Sequence, residues 1–330
     1  MKALVVGYGS IGQRHLANLR HLLPHARIGV LRSVYSGVAA QPPDGADELF
    51  YEIDAAVAFA PEIVLICNPS PFHIPVARRL LSAGAHLFIE KPLAAELSGV
   101  DDLLVESRAS GRVLFVAYNM VFLPSLEFIR EMILSGKLGR VLSVRAEVGQ
   151  YLPDWRPAKD YRQGASARRD LGGGVLLELS HELHYLNWLF GSLSSVQASV
   201  VRTGELESEV EDLAELLLKF RDGPLVSVHL DFLQRSYSRS CKIIGTTGTL
   251  SWQAASQQVW FQAASDLEAV LLFEASGSNR NEVYLKELAH FLDCVAGRAQ
   301  PRVDGEQAKE VLRVVAAAWK SSRTGRLISL

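Results

Sequence analysis

The chain has 330 residues, of which 48% are hydrophobic, and its formal net charge is −2. This length is sufficient for two domains with buried cores, and the near-neutral charge gives no electrostatic basis for binding nucleic acid or an anionic membrane. The three cysteines are scattered, so we expect a cytoplasmic protein without disulfides. No long apolar run is present and a strand begins at residue 2, so we expect no membrane anchor.

The first 120 residues alternate short apolar strands with helices. Strands are predicted over 2–6, 27–31, 62–67, 86–90 and 113–118, and helices over residues 11–23, Pro75–Ala83 and Glu96–Ser110. Continuous apolar runs of this kind are typical of strands that are buried on both faces. The pattern predicts a doubly wound parallel sheet, and hence a dinucleotide-binding Rossmann domain over residues 1–120.

The second half of the chain has longer strands, several of which alternate apolar and polar residues. Strands are predicted over 141–150, 193–203, 211–221, 224–234 and 239–244, with more near 247–273, and helices over 174–190, 282–296 and 305–322. Short turns between successive strands indicate antiparallel pairing. We therefore expect an α/β domain over 121–330 with a largely antiparallel open sheet, helices on one face, and a second face available for a homodimer or homotetramer.

A glycine-rich turn follows the first strand at once and opens the first helix. This strand–turn–helix context gives the G-x-G-x-x-G pattern its significance as a dinucleotide site. The first glycine allows the tight turn, the second allows a pyrophosphate to approach the backbone, and the third allows the helix to pack closely on the strand. The predicted contacts are Gly7, Tyr8, Gly9, Ser10, Ile11 and Gly12.

The residues after the second strand bear on the choice between NAD and NADP. An acidic residue at this position would bind the ribose 2′-hydroxyl of NAD, whereas an arginine nearby accommodates the 2′-phosphate of NADP. This chain has Arg32 and Ser33 there. The sequence therefore favours NADP as the cofactor, with NAD as the alternative.

Polar residues follow three further strands of the predicted parallel sheet. These residues are Asn68, Pro69 and His73, then Glu90 and Lys91, then Asn119. Ligands of open α/β sheets bind beyond the carboxyl ends of the strands, so we expect these turns to converge on the nicotinamide. A lysine held there is suited to donate a proton to an alkoxide while hydride moves.

A helix that follows three glycines carries the remaining ionisable cluster. Helical spacing places Glu178, His181, Glu182 and Tyr185 on one face and directs His184 elsewhere. Ionisable pairs on an otherwise apolar helix are costly unless they line a site. The two histidines are one residue too close for the zinc motif H-E-x-x-H, and we predict no metal.

Taken in order, these motifs resemble the Gfo/Idh/MocA oxidoreductases over nearly the whole chain. The resemblance implies a Rossmann domain followed by an α/β domain with an open sheet, which often forms dimers or tetramers. It also implies NAD(P)-dependent oxidation or reduction of a hydroxyl or carbonyl group on a sugar, a cyclitol or a similar molecule. The family's catalytic lysine falls on Lys91, and its aspartate–histidine helix pattern falls on Glu178 and Glu182.

The replacement of the family's histidine by Glu182 leaves the proton relay open. Burial next to Glu178 would raise the pKa of one of the two carboxyl groups, which would make Glu182 a suitable base. His181 is the second candidate because an imidazole titrates near neutrality without special tuning. A third alternative is that the dehydrogenase chemistry itself is altered.

A narrower resemblance rests on the segment Tyr151–Arg169 and on the Leu-Ser-His-Glu-Leu sequence after the glycines. This combination is similar to family members associated with bacterial surface-sugar synthesis, including sialic-acid-like sugars, in which a glutamate at position 182 is a normal residue. Arginine forks in such a loop suit a carboxylate or phosphate. The predicted substrate contacts are Trp155, Arg156, Asp160, Tyr161 and Arg162.

The sequence favours a sugar oxidoreductase over two other functions. One alternative is a redox-assisted lyase or hydrolase that retains its cofactor, as some relatives of the family do. The other is a dinucleotide-binding sensor without turnover, which the altered helix motif would permit and the intact Lys91 opposes.

Overall fold

The computed structural model describes residues 1–33, 41–275 and 280–330. The chain divides into two compact units. Unit 1 comprises Met1–Asn119 and Asn279–Leu312, and unit 2 comprises Met120–Ser278 and Arg313–Leu330. The predicted division near residue 120 has a single boundary, whereas unit 1 also includes a segment from near the end of the chain.

Unit 1 contains a six-stranded sheet in which every described pair of strands is parallel. Its strand order is β3-β2-β1-β4-β5-β6, which is the order of a dinucleotide-binding fold and confirms the predicted class. The short β3 has no long apolar run and was not predicted. The strands are β1 (Lys2–Val6), β2 (Arg27–Leu31), β3 (Glu48–Phe50), β4 (Ile63–Ile66), β5 (His86–Glu90) and β6 (Leu114–Ala117).

Amphipathic helices connect these strands. The first helix buries Leu16 and Leu19, which lie on the face that its apolar spacing selects. The fourth helix ends at Gly111, whose left-handed backbone (φ 64°) is a common helix terminator. The helices in this part of unit 1 are α1 (Ser10–Leu22), α2 (Ile53–Ala58), α3 (His73–Ser82) and α4 (Val100–Ser110).

The late segment of unit 1 packs on the sheet formed by the first 119 residues. Phe291, on the helix Arg280–Val295, lies with its ring centroid 5.5 Å from that of Phe88 and 6.0 Å from that of Phe115. Further along, Val116 donates its backbone N–H to the carbonyl of Val303 at 3.1 Å. The closing segment thus covers β6 and supplies part of the core of unit 1.

Unit 2 contains a nine-stranded sheet that is antiparallel except for the pair β7 and β10. Its order is β14-β13-β12-β11-β7-β10-β9-β8-β15, and alternate residues of β9 are buried and exposed, as expected for a sheet covered on one face. The strands are β7 (Val141–Gly149), β8 (Leu193–Val201), β9 (Leu213–Phe220), β10 (Leu225–Asp231), β11 (Ser238–Gly245), β12 (Gly248–Gln253), β13 (Gln258–Ala263), β14 (Val270–Glu274) and β15 (Ile328–Ser329).

The prediction of one continuous helix over 174–190 is wrong. The structure has two helices there, α6 (Val175–Glu178) and α7 (His181–Phe190), because the hydroxyl of Ser180 donates to the carbonyl of Leu177 at 2.8 Å and the backbone turns. The other helices are α5 (Pro124–Leu134), α8 (Arg280–Val295) and α9 (Gly305–Thr324). Within the described ranges, the helices are all too short or too polar to cross a bilayer.

Candidate active site

The glycine turn after β1 has three glycines with three different steric requirements. Gly7 has φ 89°, and a Cβ there would lie 2.7 Å from the backbone nitrogen of Asn68. A Cβ on Gly12 would lie 2.0 Å from the carbonyl oxygen of Gly7, so α1 could not pack this closely with any other residue. A Cβ on Gly9 would meet no described atom within 4 Å. The backbone at Gly9 is therefore open to an incoming group.

The start of α1 is suited to binding an anion. Gly9 is the N-cap and supplies no side-chain acceptor, while Ser10 is exposed and Ile11 is half-buried. The amide groups of the first helical turn have no intrahelical acceptor, and they carry the positive end of the helix dipole. This arrangement fits the phosphates of a dinucleotide, as the sequence predicts.

The turn after β2 holds Arg32 near the glycine turn. The guanidinium of Arg32 lies 5.4 Å from the ring centroid of Tyr8, within the range of a cation–π contact. The backbone N–H of Arg32 donates to Phe50 on β3, which fixes the turn, and Ser33 is exposed. A cation at this position fits an additional phosphate on the cofactor's ribose.

Two buried polar atoms lie in the turn after β4. In the part of the chain that the structure describes, neither Oδ1 of Asn68 nor Oγ of Ser70 has a hydrogen-bond partner. Buried polar groups are nearly always paired, so these atoms indicate a ligand or water that would satisfy them. Pro69 begins the turn, and β4 and β1 are neighbours in the sheet.

His73 links this turn to the next one. Its Nε2 lies 2.7 Å from the carbonyl oxygen of Asn68, and its Nδ1 lies 3.0 Å from that of Pro92. Burial lowers the pKa of His73, so the ring is neutral and donates from one nitrogen at a time. The sequence predicts that His73 contacts the cofactor; in the structure its side chain is only 1% exposed and connects the turns after β4 and β5.

The turn after β5 carries Glu90 and Lys91. Lys91 is half-buried, and its backbone N–H donates to Oε2 of Glu90 at 3.0 Å. Oε1 of Glu90 lies 2.6 Å from Nε2 of His15, a fully buried residue of α1. The carboxylate of Glu90, which was predicted to contact the cofactor, is thus directed into unit 1.

Asn119 follows β6 and is half-buried near Tyr284. The pKa of the Tyr284 hydroxyl is raised mainly by burial, and a hydrogen bond with the side chain of Asn119 opposes that rise. Since β1, β4, β5 and β6 are consecutive neighbours in the sheet, the turns that follow them share its carboxyl edge. The cofactor contacts predicted in unit 1 therefore lie along one edge, apart from the two side chains that point inward.

In unit 2 the three glycines before α6 allow a loop and a carboxylate to come close to the backbone. A Cβ on Gly173 would lie 2.4 Å from the carbonyl oxygen of Ala165, and a Cβ on Gly174 would lie 2.6 Å from Oε1 of Glu211. Nε1 of Trp319 donates to the same oxygen at 3.2 Å, and burial raises the pKa of Glu211. Sequence reasoning missed Glu211, which no local motif marks.

The ionisable residues after the glycines fall on two helices rather than one. Glu178 ends α6 and His181 begins α7, and both are half-buried. Glu182 and His184 are buried, although the helical spacing directed them to different faces. The shared face predicted for Glu178 and Glu182 assumed an unbroken helix, and the turn at Ser180 removes that basis.

Glu182 forms a buried ion pair with Arg239 on β11. Nε of Arg239 lies 2.9 Å from Oε1 of Glu182, and the side chains are 16% and 0% exposed, respectively. A guanidinium at this distance favours the ionised carboxylate, which opposes the raised pKa that was predicted for a relay at this position. Arg239 was missed, although it precedes the apolar Cys241 and Ile243 by two and four residues on its strand, a spacing that places all three side chains on the same, covered face.

Polar contacts within unit 2 hold the predicted substrate loop in place. Arg162 binds Asp160 with Nε at 2.9 Å from Oδ1 and binds Glu207 with Nη1 at 3.0 Å from Oε2. The hydroxyl of Tyr161 accepts from the backbone N–H of Glu207 at 3.0 Å. These contacts stabilise the loop's conformation, and they engage the side chains of three of the five predicted substrate contacts, Asp160, Tyr161 and Arg162.

The other two predicted substrate contacts, Trp155 and Arg156, differ in their exposure and in their contacts. Nε1 of Trp155 donates to the carbonyl of Gln150 at 3.2 Å, and its ring lies edge-on to Phe232. Arg156 is exposed. Among the residues that the structure describes, no cluster of three or more His, Cys, Asp or Glu side chains is arranged to hold a metal ion.

The fold and the glycine turn define a dinucleotide-binding oxidoreductase of the two-domain α/β type. Residues 1–118 match the model for the NAD-binding Rossmann fold of the oxidoreductase family Gfo/Idh/MocA, and residues 130–330 match the model for its C-terminal alpha/beta domain. The chain belongs to this family, as the ordered motifs indicated.

Relatives of known name share this organisation. Inositol 2-dehydrogenase of Pseudomonas fluorescens is 26% identical over 322 residues, which are 95% of this chain and 91% of the relative. Myo-inositol 2-dehydrogenase of Thermotoga maritima is 24% identical over 343 residues, covering 100% and 98%. The WlbA dehydrogenase of Bordetella pertussis, solved with NADH and UDP-GlcNAcA, superimposes with a TM-score of 0.84 at 22% identity and covers 100% of this chain and 98% of its own.

Proposed function

We propose that this protein is an NAD(P)-dependent oxidoreductase that acts on a hydroxyl or carbonyl group of a sugar or sugar derivative. The observation that carries the proposal is the set of turns along the carboxyl edge of the unit 1 sheet, where the turn after β1 holds the open backbone at Gly9 and the turn after β5, two strands away, holds the half-buried Lys91. Names of relatives, such as the inositol dehydrogenases, support a polyhydroxylated substrate.

Lys91 is proposed as the group that handles the substrate's oxygen. A bound nicotinamide cofactor would supply the hydride acceptor or donor. The ammonium group of Lys91 would hydrogen-bond the reacting oxygen and donate a proton to it during reduction, or stabilise the alkoxide that forms during oxidation. The backbone bond to Glu90 fixes the peptide from which this side chain departs.

His181 is proposed as the proton-handling residue of unit 2. Glu182 lies in a buried ion pair with Arg239, and His181 is half-buried at the first position of α7. This assignment revises the order of the two candidates derived from the sequence, where Glu182 came first. Gln at either position keeps a similar size and polarity but cannot act as a base.

We also propose NADP as the preferred cofactor, which the position of Arg32 over the Tyr8 ring supports. Arg156 remains the proposed contact for an acidic group of the substrate because it is exposed, and a surface-sugar substrate is the proposal that fits the segment around it. The partly exposed face of the unit 2 sheet supports a homodimer or homotetramer. Three free, buried cysteines support a cytoplasmic location.

The test is turnover on a panel of free and nucleotide-linked sugars, followed through nicotinamide absorbance. We expect a stoichiometric change in absorbance with one class of sugar, and a large loss of kcat for His181→Gln but not for Glu182→Gln. Full activity of His181→Gln together with loss in Glu182→Gln would overturn the relay assignment. Substrate consumption without net change in absorbance would instead indicate the redox-assisted lyase or hydrolase.

A further inference from the structure

Unit 1 contains a buried group of three ionisable side chains below the turn that carries Lys91. His15 comes from α1, Glu90 from β5 and Glu287 from α8, and they are 0%, 8% and 0% exposed, respectively. Ionisable residues are seldom fully buried unless they are paired. Three of them at one place therefore call for an explanation that packing alone does not give.

Glu90 joins two parts of unit 1 through its two oxygens. Oε1 lies 2.6 Å from Nε2 of His15, and Oε2 accepts the backbone N–H of Lys91 at 3.0 Å. The carboxylate thus connects the helix that follows the glycine turn to the peptide that holds Lys91. A carboxylate is an acceptor at both oxygens, so His15 donates from Nε2.

Aromatic rings fix the orientation of His15. Its ring lies edge-on to Phe88 at 5.0 Å and to Tyr284 at 6.0 Å between centroids. Within the described ranges, Nδ1 of His15 is buried without a hydrogen-bond partner. A neutral ring with its proton on Nε2 leaves only a lone pair unmatched there, which costs less than burying an unmatched N–H.

Glu287 differs from Glu90 because its two carboxyl oxygens are buried and have no hydrogen-bond partner among the described residues. Burial and the nearby negative charge of Glu90 raise the pKa of Glu287 well above its usual range. An ionised carboxylate in this position would have neither solvent nor donors to stabilise it. The carboxyl group of Glu287 is therefore protonated.

Three further titratable groups around Glu90 are neutral. Burial raises the pKa values of the Cys67 thiol and of the Tyr284 hydroxyl and lowers that of the His73 imidazolium, so each of these groups stays neutral near pH 7. The guanidinium of Arg14 lies over the ring of Tyr284, 4.5 Å from its centroid. Glu287 is thus the carboxyl group of the buried set that is held neutral, whereas both oxygens of Glu90 have hydrogen-bond partners.

We infer that Glu90 is a positioning residue for Lys91, that His15 holds Glu90 in place, and that Glu287 remains protonated so that the single charge stays on Glu90. The inference rests on the proposed function to the extent that Lys91 acts on the substrate. It assigns a purpose to His15 and Glu287, neither of which is part of the glycine turn or of the strand-end motifs.

The first experiment separates positioning from binding. Glu90→Leu removes the acceptor for the Lys91 N–H, and we expect kcat to fall at least about tenfold while KM and the cofactor's Kd change less than about threefold. Glu90→Gln should recover most of the loss because its amide oxygen still accepts from Lys91. His15→Leu should act in the same direction as Glu90→Leu, whereas the exposed His21→Gln on the same helix should have no effect.

Thermal unfolding of each variant identifies any loss of kcat that comes from misfolding. If Glu90→Leu is folded and retains the wild-type kcat while Lys91→Ala is inactive, the positioning role is wrong. If Lys91→Ala is itself fully active, the proposed role of the lysine fails instead. The two failures are therefore distinguishable.

The second experiment tests the protonation of Glu287 without any turnover. Difference infrared spectra at pH 7 of wild type and Glu287→Gln should show a protonated carboxyl band that the variant lacks, and the variant should unfold within a few degrees of wild type. The exposed Glu62→Gln should leave the band unchanged. Absence of the band in wild type, or its survival in Glu287→Gln, would overturn the assignment of the charge.

Discussion

Removing Arg239 should take the neighbouring cation away from the buried carboxylate of Glu182 in unit 2. With 2.9 Å between Nε and Oε1, the attraction is about 6 kcal/mol at an effective dielectric constant of about 20, and it offsets the cost of desolvating both groups. Loss of one partner from a buried pair typically costs about 3–5 kcal/mol. Since the Glu182 side chain has no exposed surface, we expect Arg239→Met to lower the free energy of unfolding by about that amount.

Chemical denaturation followed by tryptophan fluorescence measures this change. Trp252 is a local probe because its ring lies edge-on to that of Tyr185, 5.9 Å away between centroids, in the buried part of unit 2. The matched control is Arg145→Met, the same substitution at an exposed position of β7, which should cost less than about 0.5 kcal/mol.

A double variant separates the buried charge from the lost packing. Glu182→Leu combined with Arg239→Met contains no buried charge at this place, and it should be within about 1 kcal/mol of the wild type. If Arg239→Met costs less than about 1 kcal/mol, or if the double variant is as unstable as the sum of its single changes, the reasoning from a buried ion pair is refuted.

Three further predictions concern cofactor, catalysis and acid stability. Lys91→Ala should lower kcat by about 10²- to 10⁴-fold with the cofactor's Kd changed less than about threefold, and turnover at the wild-type rate would remove the lysine from the chemistry. Isothermal titration should show tighter binding of NADPH than of NADH and loss of that preference in Arg32→Ala; a preference for NADH of tenfold, about 1.4 kcal/mol, would contradict the role of Arg32. Burial lowers the pKa of His184 from 6.5 to about 3, so below pH 6.5 the unfolded chain takes up the proton first and the free energy of unfolding falls by up to about 1.4 kcal/mol per pH unit. His184→Leu should reduce that slope between pH 6.5 and 4. An unchanged slope would show that His184 is not its source.

The parallel half of the fold follows closely from the sequence because its signals are local. The predicted strands 2–6, 27–31 and 86–90 coincide with β1, β2 and β5, since a continuous apolar run bounded by polar turns has few alternatives. β3 escaped prediction because three residues do not establish a pattern. The glycine turn was predictable because a side chain at Gly7 or Gly12 would clash with backbone atoms, while the position of Gly9 is open.

The parts that sequence reasoning missed depend on partners far along the chain. Glu182 and Arg239 are 57 residues apart, and no local spacing predicts that they form an ion pair. The same holds for the ion pair between Arg162 and Glu207, which are 45 residues apart. Local spacing also could not reveal that the helix is interrupted at Ser180. A serine hydroxyl can bond a nearby backbone carbonyl in a helix or in a turn, and only the folded protein shows which of the two forms here.

The late segment of unit 1 sets an order of events during synthesis. Phe88 and Phe115 leave the ribosome long before Phe291, the ring that covers them, and at roughly 5–20 residues per second the interval is roughly 10–35 s. During that time the edge of β6, which later pairs with Val303, is open to other strands. A fragment that stops near residue 119 would therefore keep this strand edge exposed, and we expect it to aggregate.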